Sequence, residues 1–212
     1  MLSVVMFLVI ITNIIERKNI GEMNHSVHSI YEDRLVPATD IFSLTENLYS
    51  KRFLMENYLK DNFKGNDAKL IQDLNIHDTT INSLISKYEK TYLVDQESKY
   101  LSEFKSKVKD YSNLEKDILN LSKIEGKEAA MHLYQTQGID AHKNTIYQLS
   151  VLNRIQSVIG GELIKDSKGI VASSNLLSTL QIVLAIITGI IILILIFSSR
   201  MIKQTHKNFH LN

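Results

Sequence analysis

The stretch IFSLTENLYSKRFLMENYL, residues 41–59, sets Ile41, Leu44, Leu48, Met55 and Leu59 at threes, fours and their sum. That is the spacing of one face of an amphipathic helix. The pattern recurs outward from it in Leu70, Leu74, Ile81, Leu84 and Tyr88, in Leu101, Phe104, Val108, Tyr111 and Ile118, and in Ile146, Leu149, Leu152, Ile155 and Ile159. No strand-like alternation of useful length competes with it. Four helices with one apolar face each bury those faces against one another, so the expected class is all-α.

Breaks fall at Lys64-Gly65-Asn66-Asp67, at Leu93 to Glu97 and near Glu125-Gly126, with Asp67 and Asp95 placed as N-cap carboxylates. Helices are therefore expected over residues 16–63, 67–92, 97–124 and 127–175. The outer two reach about 70 Å and the inner two about 40 Å, which suits an antiparallel up-down-up-down bundle whose first and last helices run on into membrane spans. Gly138 is an equal candidate for the last turn, with Lys127 to Gln137 as a short cap. Pro37 is expected to kink the first helix; the alternative sets it at the first turn of a new helix, with Ile20 to Val36 separate.

From Gly169 to Ser199 no residue is charged, and LLSTLQIVLAIITGIIILILIF (176–197) is apolar over about the thickness of a hydrocarbon core. It reads as a transmembrane helix. LSVVMFLVIITNII (2–15) is apolar but a few residues short, and reads as a second, clipped span. Two rivals exist: a start codon placed a few residues late within a normal span, and a signal peptide, disfavoured because no Lys or Arg precedes Arg17 and no small-residue cleavage pattern follows. The expected organisation is a span at 1–15, an extracytoplasmic bundle at 16–175, a span at 176–197 and a basic tail at 198–212. Arg200, Lys203 and Lys207 place that tail in the cytoplasm, so both termini are expected there, with the protein integral to a bacterial plasma membrane.

Composition narrows the function. The 212 residues include no cysteine, one proline and eight glycines, against a disulfide-stapled or turn-dense fold. Lys plus Arg number 24 against 23 for Asp plus Glu, which gives no electrostatic reason to bind nucleic acid. No phosphate loop, nucleophile elbow or H-E-x-x-H is present, so neither an enzyme nor a cofactor is expected.

The run IYEDRLVPATDIFSLTENLYSKRFLMENYL (30–59), after an N-terminal apolar segment and ahead of helices ending in a second, resembles the four-helix-bundle ligand-sensing domain of methyl-accepting chemotaxis receptors. The resemblance is carried by Leu35 and Pro37, by Arg52 two turns before Tyr58-Leu59, and by Ile124 to Ala129 after the third helix. It implies a membrane-anchored sensory module. Arg200 and Ile202 resemble the start of the linker that follows the second span in that family, but no proline follows. A module without an output domain of its own is therefore the expectation. The alternative is a non-sensory two-span scaffold or tether of an envelope complex.

An anionic ligand of such a bundle is best held by the planar fork of arginine, and Arg34 and Arg52 on the first helix are the ligand-contact candidates. His25 and His28 could form a metal pair, but no third ligand can be named, and no metal is expected. His206 and His210 fit a tail at the headgroups, and inward-facing His77 fits a hydrogen-bonded core histidine. Expected partners are the lipid bilayer, a second copy or another receptor paired through helices, and an unidentified small molecule.

Overall fold

The computed structural model describes residues 2–205. Met1 and the tail positions His206, Lys207 and His210 lie outside them. The elements are α1 (Leu2–Ser29), a π-helical turn (Ile30–Leu35), α2 (Val36–Leu59), α3 (Asp67–Tyr88), α4 (Asp95–Ile124), α5 (Lys127–Leu133), a second π-helical turn (Tyr134–Gly138) and α6 (Ile139–Thr205). The described residues contain no strand.

Two compact units emerge among the described residues, 28–163 and 2–27 with 164–205. In the first, α2, α3, α4 and the bundle part of α6 enclose two apolar clusters. One gathers Leu44, Leu48, Ile81, Tyr88, Phe104, Tyr111 and Leu152; the other Met55, Tyr58, Leu70, Ile118, Ala130 and Tyr134. In the second unit α1 and α6 run antiparallel, joined by Gln181 Nε2 donating to Thr12 Oγ1 at 2.9 Å, Ser178 Oγ to Glu16 Oε1 at 2.8 Å and Asn19 Nδ2 to Ser174 Oγ at 3.2 Å. Among the described residues one helix, within Lys127–Ser198, is long and apolar enough to cross a bilayer, and its apolar side chains, such as Leu176, Ile182 and Ile186, are uncovered by protein. The helical stretch from Leu2 does not meet that measure.

The helix ends differ in detail from the expectation. Asn66, not Asp67, caps α3, its Oδ1 accepting from Lys69 N at 3.0 Å, while Asp67 takes a bond from Tyr58 Oη. Val94 occupies the cap of α4 and has no side-chain acceptor, so the carboxylate of Glu97 satisfies the Val94 N–H instead. The third turn falls at Gly126, whose φ of +94° is a conformation that side-chain-bearing residues avoid.

Pro37 neither breaks nor sharply ends the first helix, because a wide π turn lies directly ahead of it at Ile30–Leu35. A proline cannot donate to the carbonyl four residues back, and its ring crowds that carbonyl; the extra residue in the turn moves the carbonyl aside. Gly138 ends the second π turn. A Cβ there would lie 2.7 Å from Tyr134 Cδ2, a contact real structures do not tolerate. Gly138→Ala should therefore lose about 1–3 kcal/mol of stability by displacing Tyr134, although glycine to alanine inside a helix ordinarily gains about 1 kcal/mol. Thermal melting of the full chain reads the sign.

Candidate functional site

The two apolar clusters are separated by a layer of charge. Lys51 on α2 is wholly buried, and its ammonium uses its three protons on Asp78 Oδ1 of α3 at 2.5 Å, Ser112 Oγ of α4 at 3.1 Å and Glu115 Oε2 of α4 at 2.6 Å. Ser112 donates in turn to Asp78 Oδ1 at 3.1 Å. Glu115 Oε1 and Tyr111 Oη have no hydrogen-bond partner, though the groups lie close enough to act on each other's protonation. Burial pushes the Glu115 carboxyl above its ordinary range, against the pull of Lys51.

α6 contributes His142 beside this layer. The ring is 1 % exposed, lies edge-on to Tyr49 at 4.9 Å and Tyr111 at 5.7 Å, and neither nitrogen has a hydrogen-bond partner. Burial, reinforced by the charge of Arg52, lowers its pKa to about 4, so the native ring is neutral. The unfolded ring titrates near 6.5, and therefore binds more protons than the native one between those values. Its contribution is fully present above pH ~6.5 and is lost as pH falls to ~4, on the order of 2–3 kcal/mol. His142→Phe should flatten that part of the melting temperature against pH profile.

A second buried cluster holds the end of the bundle where α3 passes to α4. Arg34, in the first π turn, donates from Nη1 to Glu97 Oε2 at 2.9 Å and Gln156 Oε1 at 3.3 Å, and from Nη2 to the Tyr92 carbonyl at 3.2 Å. Glu97 Oε1 accepts from Tyr88 Oη at 2.6 Å and Gln156 Nε2 at 2.5 Å. Burial and the adjacent carboxylate push the Tyr88 hydroxyl far up, which keeps it a donor. Four segments thus meet on one carboxylate that has no exposure to solvent.

The two arginines singled out in the sequence therefore sit apart. Arg34 is 5 % exposed and engaged inward, whereas Arg52 is about a third exposed and pairs with Glu56 one turn on at 2.8 Å. Tyr134 Oη also donates to Glu56 Oε1 at 2.8 Å. Burial raises the Glu56 pKa, but the bonds from Arg52 and Tyr134 outweigh it and hold the group below its ordinary value. His77 bonds Asn47 across α2 and α3 at 2.8 Å. No three His, Asp or Glu side chains converge as metal ligands among the described residues.

Along α3 and α4 the bundle opens into a cavity of about 140 Å³ whose wall includes Leu74, Asp78, Ser112, Glu115 and Leu119. The buried charge layer also borders a second cavity along these helices, of about 700 Å³, which shares Asp78 and Ser112 in its lining. The sequence reading found neither.

The described architecture is four helical segments around a charged interior layer. Residues 1–171 match the family described as the four helix bundle sensory module for signal transduction, and the chain belongs to that family. Among curated proteins it is similar to YvaQ of Bacillus subtilis (strain 168), whose assigned name is that of a sensory transducer, at 25% identity over 181 residues. The match covers 84% of this chain and 31% of that protein, so the chain spans about a third of the relative's length. No solved structure matches it.

Proposed function

We propose that this chain is a membrane-anchored signal-input module of the chemoreceptor type, with the bundle outside the membrane and both ends in the cytoplasm. The observation that carries the reading is the family match over residues 1–171 on a chain whose last bundle helix continues into a stretch apolar enough to span a bilayer. The basic residues Arg200, Lys203 and Lys207 after that stretch favour the orientation. A shift of α6 in the bundle reaches the span directly, because the two are one helix from Ile139 to Thr205.

The module acts as a pair. Leu35, Phe42, Tyr49 and Phe53 are each at least half exposed and recur at seven, seven and four residues from the end of the first π turn along α2. That is the seam of a coiled-coil contact, and a second copy meets it about a two-fold axis. Arg34 and Arg52 remain the ligand-contact residues of the sequence reading; of the two, Arg52 is the one reachable from solvent.

Reporter fusions test the topology: alkaline phosphatase inserted at Gly65 should be active and a fluorescent protein at Asn212 should fluoresce, and the reverse pattern overturns it. The chain lacks cysteine, so Phe42→Cys in membranes should give a disulfide-linked dimer whereas exposed Thr80→Cys on α3 should not.

A further inference from the structure

The two cavities between α3 and α4 share Asn75, Asp78, Ser112 and Lys116 in their walls, and together they form one groove from Ile71 to Glu89 on α3 and from Lys105 to Lys123 on α4. By helix rise each wall is about 27 Å long. The lining repeats along it. On α4, Lys109, Lys116 and Lys123 recur every seven residues with Asn113 and Asn120 between them, and on α3, Asn75 and Asn82 keep the same interval. The contacts of Glu89 with Lys105 and of Asp78 with Ser112 set the register of the two antiparallel helices. That register puts Asn82 across from Asn113 and Asn75 across from Asn120, each within about one helical turn. Lysine therefore alternates with a pair of amides down the groove, at about 10.5 Å from one lysine to the next.

None of these groups is engaged within the protein. Among the described residues Lys109, Lys116 and Lys123 make no ion pair, and the four asparagine side chains, all exposed, make no hydrogen bond. Of the acids in the walls, Glu89 pairs with Lys105, while Asp78 and buried Glu115 share Lys51 from inside. Three free cations thus face one unbalanced carboxylate, and the groove attracts anions. Its floor is apolar in two patches, Ile85 with Val108 and Leu74 with Leu119.

A repeat of this kind fits a chain and not a small solute, because the same donors return at a fixed interval. The interval excludes the dense polyanions: a nucleic-acid strand carries a phosphate every ~3.4 Å of rise, and an acidic peptide has a residue every ~3.3–3.6 Å. An extended disaccharide is of the right length, its hydroxyls suit amides, and its C–H faces suit an aliphatic floor. We propose that the α3–α4 groove binds a linear acidic glycan with one carboxylate on every second sugar, each carboxylate at a lysine of α4 and each neutral sugar between two asparagines. That the bundle meets such a glycan outside the cell rests on the proposed topology, but the binding does not, so a reversed fusion pattern and a failure to bind are separate results.

Titration calorimetry on the full chain in nanodiscs of zwitterionic lipid decides it. The probe is a hyaluronan hexasaccharide, whose three carboxylates match the three lysines; the controls are the disaccharide, neutral chitohexaose and triglutamate capped at both ends. Saturable binding of the hexasaccharide is expected, at least tenfold tighter than any control. Lys116→Ser should weaken it at least fivefold, and so should Asn82→Leu combined with Asn113→Leu, which changes no charge. Lys143→Ser, on exposed α6 surface, should leave it unchanged. All the substituted side chains are exposed, and circular dichroism confirms that each variant is folded. No saturable heat, triglutamate or chitohexaose binding as tightly, Lys143→Ser weakening binding as much as Lys116→Ser, or the asparagine variant binding like wild type would each overturn the proposal.

Discussion

Glu97→Ala should cost the bundle about 3–5 kcal/mol, because it strips a buried guanidinium of its counter-charge while Arg34 stays enclosed. The carboxylate is also the acceptor for Tyr88 and Gln156 and for the Val94 N–H, so the loss reaches α3, α6 and the start of α4 together. Glu97→Gln keeps an acceptor but not the charge, and should fall between wild type and Glu97→Ala. The cause is separable from lost packing. Arg34→Met in the Glu97→Gln background removes the unpaired cation and should recover most of the loss, since an apolar replacement of a buried pair is often near neutral. Thermal melting followed by circular dichroism measures these together with Arg34→Met alone, and additivity of the Glu97→Gln and Arg34→Met effects would show that the pair is not coupled.

The positions of these groups explain what the sequence could disclose. Apolar periodicity located all four helical segments; the breaks expected at residues 64–67 and 93–97 overlap the observed connections at 60–66 and 89–94 but run into the starts of α3 and α4, while 125–126 matches. The buried charges were present in the same pattern but hidden by their chemistry. The apolar runs jump seven residues from Leu48 to Met55, from Leu74 to Ile81 and from Tyr111 to Ile118, and the in-phase positions inside those gaps are Lys51, Asp78 and Glu115. Each reads as a surface residue when judged by type, since charged side chains are seldom enclosed. Together, three gaps at one level signal a polar layer. Arg34, in phase with Pro37 and Ile41, carries the same signal. Its contact with Glu97, 63 residues away, depends on the π turn, whose extra residue resets the helical phase ahead of Pro37. No sequence period marks that turn. The family was legible because its carriers, the Pro37 region and the order of the segments, do not depend on side-chain placement.

Lys51→Met should be comparably damaging at neutral pH, about 3–5 kcal/mol, and its cost should depend on pH in a direction that identifies the cause. The substitution conserves much of the side-chain volume, so what it removes is the cation shared by Asp78 and Glu115. Glu115 already holds its proton above the ordinary range, by burial, with Lys51 as the main opposing influence. Without Lys51 the shift grows. A carboxyl whose native pKa is raised binds more protons folded than unfolded, so stability falls as pH rises from the ordinary carboxylate value through the native one. The deficit of Lys51→Met relative to wild type should therefore be smallest near pH ~4 and widen toward neutrality. His142 pulls the other way in that range, its neutral ring favouring the fold as pH rises, but it is common to both proteins and cancels in the difference. Adding Glu115→Gln to Lys51→Met removes the titrating group and should leave a smaller deficit with little pH dependence. A deficit that stays constant with pH in the single variant would assign the loss to packing and dissolve the charge layer as the organising feature of the bundle interior.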